Sequence, residues 1–374
     1  MQEGDFSVSS GKYIAPLTLY GITGQDSYYI ETNVEDVGMM ALWQTEKTAN
    51  ISTSVIGGSN LVEVNDNKNI ISYNQGAHLY RTDAKSTNFN SLLNTDILYD
   101  SIASNAVYGS HATTVTLNAK RVMSLGFQNC QHINKIIITN NVEYISPYAF
   151  LNCPNITTIL NASSAFEVIK NTYLIHKETK TLCAVYNRKN GDFSASTIQN
   201  ILQKISEIPS YSFYNISSLN ASITIPEHIT RIGAYAFANT SLTGLTVAAR
   251  TKKLIIDDYA FYACNNLTNI FFAGGSVNAN YLSFGGAADT NRVVTIGEAH
   301  NRLLNTILAT TFSPDNQNIT VLVLDNEEMY NKYYEDEVWG NYIDLSYSQI
   351  RNYEFEDGIE VIDSSFGLSN NPYL

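Results

Sequence analysis

The stretch RIGAYAFANTSLTGLTVAARTKKLIIDDYAF, residues 231–261, holds the tripeptide Tyr-Ala-Phe twice, its two phenylalanines 24 residues apart. The motif recurs towards the N-terminus as YSF at 211–213, YAF at 148–150 and LGF at 125–127. Phe127, Phe150, Phe213, Phe237 and Phe261 are therefore spaced 23, 63, 24 and 24 residues apart, one coil length with a single interruption. Their neighbours keep step. Five residues before each Phe stands an aliphatic: Val122, Ile145, Ile208, Ile232 or Ile256. The residue just before is small: Gly126, Ala149, Ser212, Ala236 or Ala260. Two after comes Asn129, Asn152, Asn215 or Asn239, and three after comes Cys130, Cys153, Ile216, Thr240 or Cys264. A short β-prone run follows, such as KIIIT at 135–139, SITIP at 222–226 or NIFFA at 269–273.

A coil with so few apolar residues cannot bury them alone. Stacked coils place like over like, roughly 4.8 Å apart, and build a common core with a parallel sheet along one side. The expected fold is mostly β with short helical or irregular turns: a repeat solenoid with a parallel sheet along one side. The Asn column is read as satisfying backbone groups in a buried turn. The three cysteines in one slot are read as small buried apolar residues, with a Cys130–Cys153 disulfide as the lesser alternative.

The pattern I-x-x-x-A-F-x-N-C-x-x-L-x-x-I-x-I-P-x-x-V-x-x-I, carried by YISPYAFLNCPNITTI at 144–159 and ITIPEHITRIGAYAF at 223–237, resembles the BspA-like leucine-rich repeat family. The segment FEVIKNTYLIHKETKTLCAVYNRKNGDF at 166–193 resembles the β-hairpin that such proteins insert between coils, with strands near 172–176 and 181–186. ITVLVLDNEEMYNKYYEDEVWGNYIDL at 319–345 looks like the closing strand, short helix with Trp, and last strand of the family. The resemblance covers about 119–345. Departures are that Pro226 alone keeps the Ile-Pro of the pattern, and that the coil after Phe237 is one residue short before Leu242.

The flanks are less regular. Phe284 falls 23 residues after Phe261 and suggests a degenerate sixth coil. Short β-prone runs separated by Gly, Asn and Asp make 1–95 a small β-rich N-terminal domain, sandwich-like or a cap. The expected order is that domain, the array over 96–285 with its insertion at about 160–205, a capping segment over 286–350 and a tail over 351–374.

Bulk composition narrows the function. Charged residues are 15% of the chain, against the roughly 25% usual for soluble domains, while Asn, Ser, Thr, Gly and Tyr abound. The net charge of -13 repels phosphate backbones and anionic lipid, which argues against nucleic acid as a partner. No apolar run is long enough to span a membrane. MQEGDFSVSSGKY lacks a basic start and an apolar run, so no signal peptide is read there. That start fits either a mature chain with an added Met or a protein not exported by a cleaved signal.

Chemistry-bearing motifs are scarce. The six histidines are scattered with no metal-type spacing, and NDNKN at 65–69 lacks the Gly and Glu of a calcium loop. No nucleophile elbow, P-loop or dinucleotide fingerprint occurs. No catalytic residue, metal ligand or cofactor is expected. The feature that stands out is a column two residues before Phe: Tyr148, Tyr211, Tyr235 and Tyr259. Tyrosine supplies stiff contact area with a polar tip, which suits a binding surface, although stacking for stability is the simpler use. The leading expectation is a non-enzymatic, surface-exposed recognition or adhesion protein, binding protein or glycan through its array, with self-association open. The alternatives are a virion component such as a phage tail, fibre or capsid decoration, and an enzyme whose site lies in 1–95. The family resemblance implies surface exposure and binding of host proteins or other cells.

Overall fold

The computed structural model describes residues 98–287, 290–299, 311–312, 319–323, 327–337 and 339–342; before residue 98 it describes the backbone of eight short strands. The chain divides into two units, Met1–Gly191 and Asp192–Leu374. Each is a stack of coils.

In the first unit the strands Thr114–Leu117, Lys135–Ile138 and Thr158–Asn161 pair in parallel, Thr114 facing Lys135 and Lys135 facing Thr158. Along Thr114–Leu117 and Lys135–Ile138 burial alternates, with Val115, Leu117, Ile136 and Ile138 fully inside, as a sheet with one face on the core requires. A second sheet carries the next leg of each coil, with Tyr99–Ile102, Ala119–Val122 and Tyr144–Ile145 in parallel. The strand His78–Arg81 joins this sheet in parallel at Tyr99–Ile102. The first strands of the chain pair the same way, each with the strand one coil on: Asp5 faces Ser27, Tyr28 faces Ile51 and Tyr13 faces Asp36. The β-rich domain expected over 1–95 concerns residues of which only these strand backbones are described, and the tail at 351–374 and the NDNKN turn lie outside the described residues.

The interruption in the Phe spacing contains an antiparallel meander of three strands, Phe166–Ile169, Tyr173–His176 and Thr181–Val185. The last two fall where the hairpin was expected; Phe166–Ile169 is an added strand. The second unit opens with a helix, Ala195–Lys204, inside the segment expected to be insertion. Ile198, Ile201 and Leu202 recur at helical spacing and are fully buried. Asp192 gathers the start of this helix, accepting from the Ser194 amide and hydroxyl at 3.1 and 2.7 Å and from the Thr197 hydroxyl at 2.9 Å.

Five parallel strands follow in the second unit: Ser222–Ile225, Gly244–Val247, Asn269–Gly274, Arg292–Ala299 and Ile319–Val323. A shorter parallel sheet, Arg231–Ile232, Leu254–Ile256 and Val277–Ala279, forms the other leg. The closing segment supplies the helix Glu327–Glu335 and a 3-10 turn, Trp339–Tyr342, with Tyr333 fully buried. The closing strand expected after it lies outside the described residues.

The phenylalanines line up within each unit. Phe127 and Phe150 stack at 5.4 Å between ring centroids. In the second unit Phe213, Phe237, Phe261, Phe284 and Phe312 form one ladder, at 4.8, 5.1, 5.1 and 5.3 Å. Phe284 thus heads a true coil, and Phe312 caps the row. All five are at most 2% exposed.

Candidate functional site

The turn that carries Phe decides what the coil shows to solvent. Amides at three alternating positions donate to the next coil: Tyr211 to Ala234, Phe213 to Ala236 and Asn215 to Ala238, at 3.1, 2.7 and 2.9 Å. The intervening amides turn back on their own coil, as Ala236 does to Gly233 and Ala238 to Tyr235. This alternation puts two residues per turn in the left-handed region, except in the turn of Phe150, where Asn152 alone adopts it. Two before Phe these are Leu125, Tyr211, Tyr235, Tyr259 and Leu282; two after, Asn129, Asn152, Asn215, Asn239, Ala263 and Gly286. The Asn column therefore has a different cause from the one expected. Asn152, Asn215 and Asn239 are exposed rather than buried. They are there because Asn is among the few residues that tolerate positive φ. Their side chains add a surface ladder in the first unit, Asn152 Nδ2 donating to Asn129 Oδ1 and Asn129 Nδ2 to the Tyr108 hydroxyl, each at 2.6 Å.

The cysteine slot is inert. Cys130, Cys153 and Cys264 are buried free thiols, donating to the carbonyls of Val107, Phe127 and Phe237 at 2.8, 2.9 and 3.1 Å. The Cys130–Cys153 disulfide is not formed. Burial raises the Cys264 thiol and pushes Cys183 up to about 12, while the Cys130 side chain, then burial, raises Cys153. None is an activated nucleophile.

The tyrosines behave differently. Tyr211, Tyr235 and Tyr259 stack face to face at 5.2 and 4.8 Å, with planes 7° and 9° apart. Tyr214 meets Tyr211 and Tyr235 edge-on at 5.8 and 6.3 Å. Tyr262 and Tyr281 meet Tyr259 edge-on at 5.4 and 5.5 Å. The six rings form one ribbon along the turn side of the second unit, with Tyr211, Tyr214 and Tyr281 exposed at 38, 38 and 50%. Partial burial, followed by the neighbouring phenols, raises Tyr235; partial burial, Tyr281 and Asp258 raise Tyr259. These two phenols thus stay neutral at physiological pH, able both to donate and to accept. Beside the ribbon, Arg231 pairs with Asp257 at 2.7 Å, and Asp258 accepts the Tyr281 amide at 3.2 Å.

Of the four tyrosines singled out in the sequence, the structure brings three together. Tyr148 is half-buried and belongs to the first unit. Tyr214, Tyr262 and Tyr281 were missed. The first two stand one residue after Phe213 and Phe261, with Ala238 between them in that column, so the signal was a tyrosine in every second coil. Tyr281 lies three before Phe284 and follows no column. Two histidines dismissed as scattered, His111 and His132, are also neighbours, with ring centroids 4.7 Å apart. Among the described residues no three His, Cys, Asp or Glu side chains converge as a metal cluster, and no helix is long and apolar enough to cross a membrane.

A family model described as a BspA-type leucine-rich repeat region matches residues 84–178 and 189–309 in six copies. Several solved structures are similar. A leucine-rich cell surface protein from Faecalibacterium prausnitzii A2-165 is 14% identical at a TM-score of 0.46, over 88% of this chain and 90% of that one. The pneumococcal vaccine antigen PcpA is 13% identical at a TM-score of 0.46, over 91% and 86%. A leucine-rich repeat protein from Eubacterium ventriosum ATCC 27560 is 14% identical at a TM-score of 0.40, over 78% and 73%. No curated protein matches the chain in sequence. The virion alternative gains no support from these comparisons.

Proposed function

On the premise that the chain belongs to the BspA-type leucine-rich repeat family, we propose that it is a non-enzymatic, surface-exposed recognition protein that docks another protein on its tyrosine ribbon. One observation carries this reading. Six tyrosines from successive coils are gathered on one strip at the surface, while the buried core of a coil is made by other residues, such as Ile232, Phe237, Leu242 and Leu245. Positive φ at Tyr211, Tyr235 and Tyr259 adds to the argument. A bulky side chain there costs about 1–2 kcal/mol that Asn or Gly would largely avoid.

Ring orientation favours protein over glycan. A sugar ring lies on an open aromatic face, and the faces between Tyr211, Tyr235 and Tyr259 are closed against one another. The stacked trio therefore offers a sugar few open faces, whereas a cluster of stiff aromatic rings with polar tips serves adaptable protein contacts.

The test compares the full chain with a Tyr211→Ser, Tyr214→Ser, Tyr281→Ser variant on arrays of surface proteins and of glycans, and on cultured cells. All three positions are exposed, so circular dichroism should be unchanged. The expected result is a protein ligand whose Kd rises at least tenfold, about 1.4 kcal/mol, in the variant. Glycan binding without a protein ligand, or equal affinity of the variant, would refute the proposal.

A further inference from the structure

His111 and His132 belong to successive coils, and their rings meet with centroids 4.7 Å apart and planes inclined at 54°. This neighbourhood follows from strand register. Thr114 faces Lys135 in the parallel sheet, and each histidine stands three residues before its strand's first residue. The approach is braced on both sides. Ala112 and Ile133, the residues that follow the two histidines, are fully buried. The Thr113 carbonyl accepts from the Asn134 and Lys135 amides at 2.9 and 3.2 Å. Both imidazoles are exposed.

We propose that His111 and His132 form a two-imidazole chelate for a divalent late transition metal, of the zinc or copper class. Imidazole suits these ions better than it suits calcium or magnesium. The spacing fits. With metal–nitrogen bonds of about 2.0–2.1 Å, two imidazoles on one ion at 90–109° place their ring centroids about 4.5–5.2 Å apart, and the observed 4.7 Å lies within that span. No third His, Cys, Asp or Glu completes a cluster among the described residues. Water fills the other positions, and the site is open and exchangeable rather than structural. The third member of this column, three residues before the strand Thr158–Asn161, is Asn155, whose side-chain Nδ2 donates to the Gln131 carbonyl at 2.7 Å.

Isothermal titration of the metal-free full chain with Zn2+ tests this. The expected result is one site that His111→Asn and His132→Asn each weaken about 100-fold, as loss of one arm of a chelate does. Both side chains are exposed, so folding, checked by circular dichroism, is retained. Asn155→His places a third imidazole in the same column and is expected to tighten Zn2+ binding by about tenfold or more. Single variants that bind Zn2+ as the native chain does would overturn the proposal, and so would an Asn155→His chain that binds no more tightly.

Discussion

Replacing Phe237 by Ala removes the ring at the centre of the second unit's ladder. Phe237 is fully buried and is stacked on Phe213 at 4.8 Å and on Phe261 at 5.1 Å. Its loss forfeits the transfer energy of the ring and leaves a cavity bounded by two coils that are hydrogen-bonded to this one and cannot collapse inward. The Phe237 amide donates to Ala260 at 2.7 Å, and the Phe213 amide to Ala236 at 2.7 Å. Buried Phe→Ala changes cost about 3–5 kcal/mol, and the rigid walls place this one at the upper end. Phe150→Ala is the internal control, since Phe150 is half-buried and stacks on one ring, Phe127. It should cost less, because part of its ring already meets water and transfer energy scales with the area buried. Urea unfolding followed by circular dichroism reads both. A Phe237→Ala cost below about 1 kcal/mol, or one equal to that of Phe150→Ala, would refute the view that the ladder is the continuous core of the array.

Further outcomes are expected. Ala263 occupies the left-handed slot at φ 55 that Gly286 fills in the next coil, so Ala263→Gly should raise stability in urea. Asn239→Ala, at φ 57, should lower it, each by about 1 kcal/mol. Arg292 is 1% exposed and its guanidinium donates to the carbonyls of Leu267, Phe284 and Cys264; Arg292→Met strands these acceptors and should cost about 1–3 kcal/mol in the same assay. The four buried thiols should resist a disulfide reagent at pH 8 until the chain is denatured. Cys183 is raised from 9.0 to about 12 by burial, so the folded chain keeps a proton that the unfolded chain releases between those values. Its contribution is complete below pH 9 and is lost as pH rises towards 12, by up to about 1.4 kcal/mol per pH unit in that window. Cys183→Ala should flatten the alkaline fall of the urea midpoint.

The repeat itself was legible because it is local. Phe, its small neighbour and the aliphatic five residues earlier recur in the five aligned coils, since each of them faces the same inward geometry. The Asn column was legible as a column but was given the wrong cause: a backbone angle leaves the same trace in a sequence as a buried hydrogen bond. Only the tertiary structure decided which side chains of different coils touch. Strand pairing sets unequal steps along the chain, since Thr114 faces Lys135, Gly244 faces Asn269 and Asn269 faces Val293. With coil length varying, a residue's neighbour one turn away is set by strand register and not by a fixed count. That is why His111 and His132 meet, and why Tyr214 and Tyr281 join the ribbon. It is also why Phe312, which lies further from Phe284 along the chain than one regular coil, still closes the ladder. Periodicity is a property of one coil, whereas a surface is made between coils and depends on how each lies on the next.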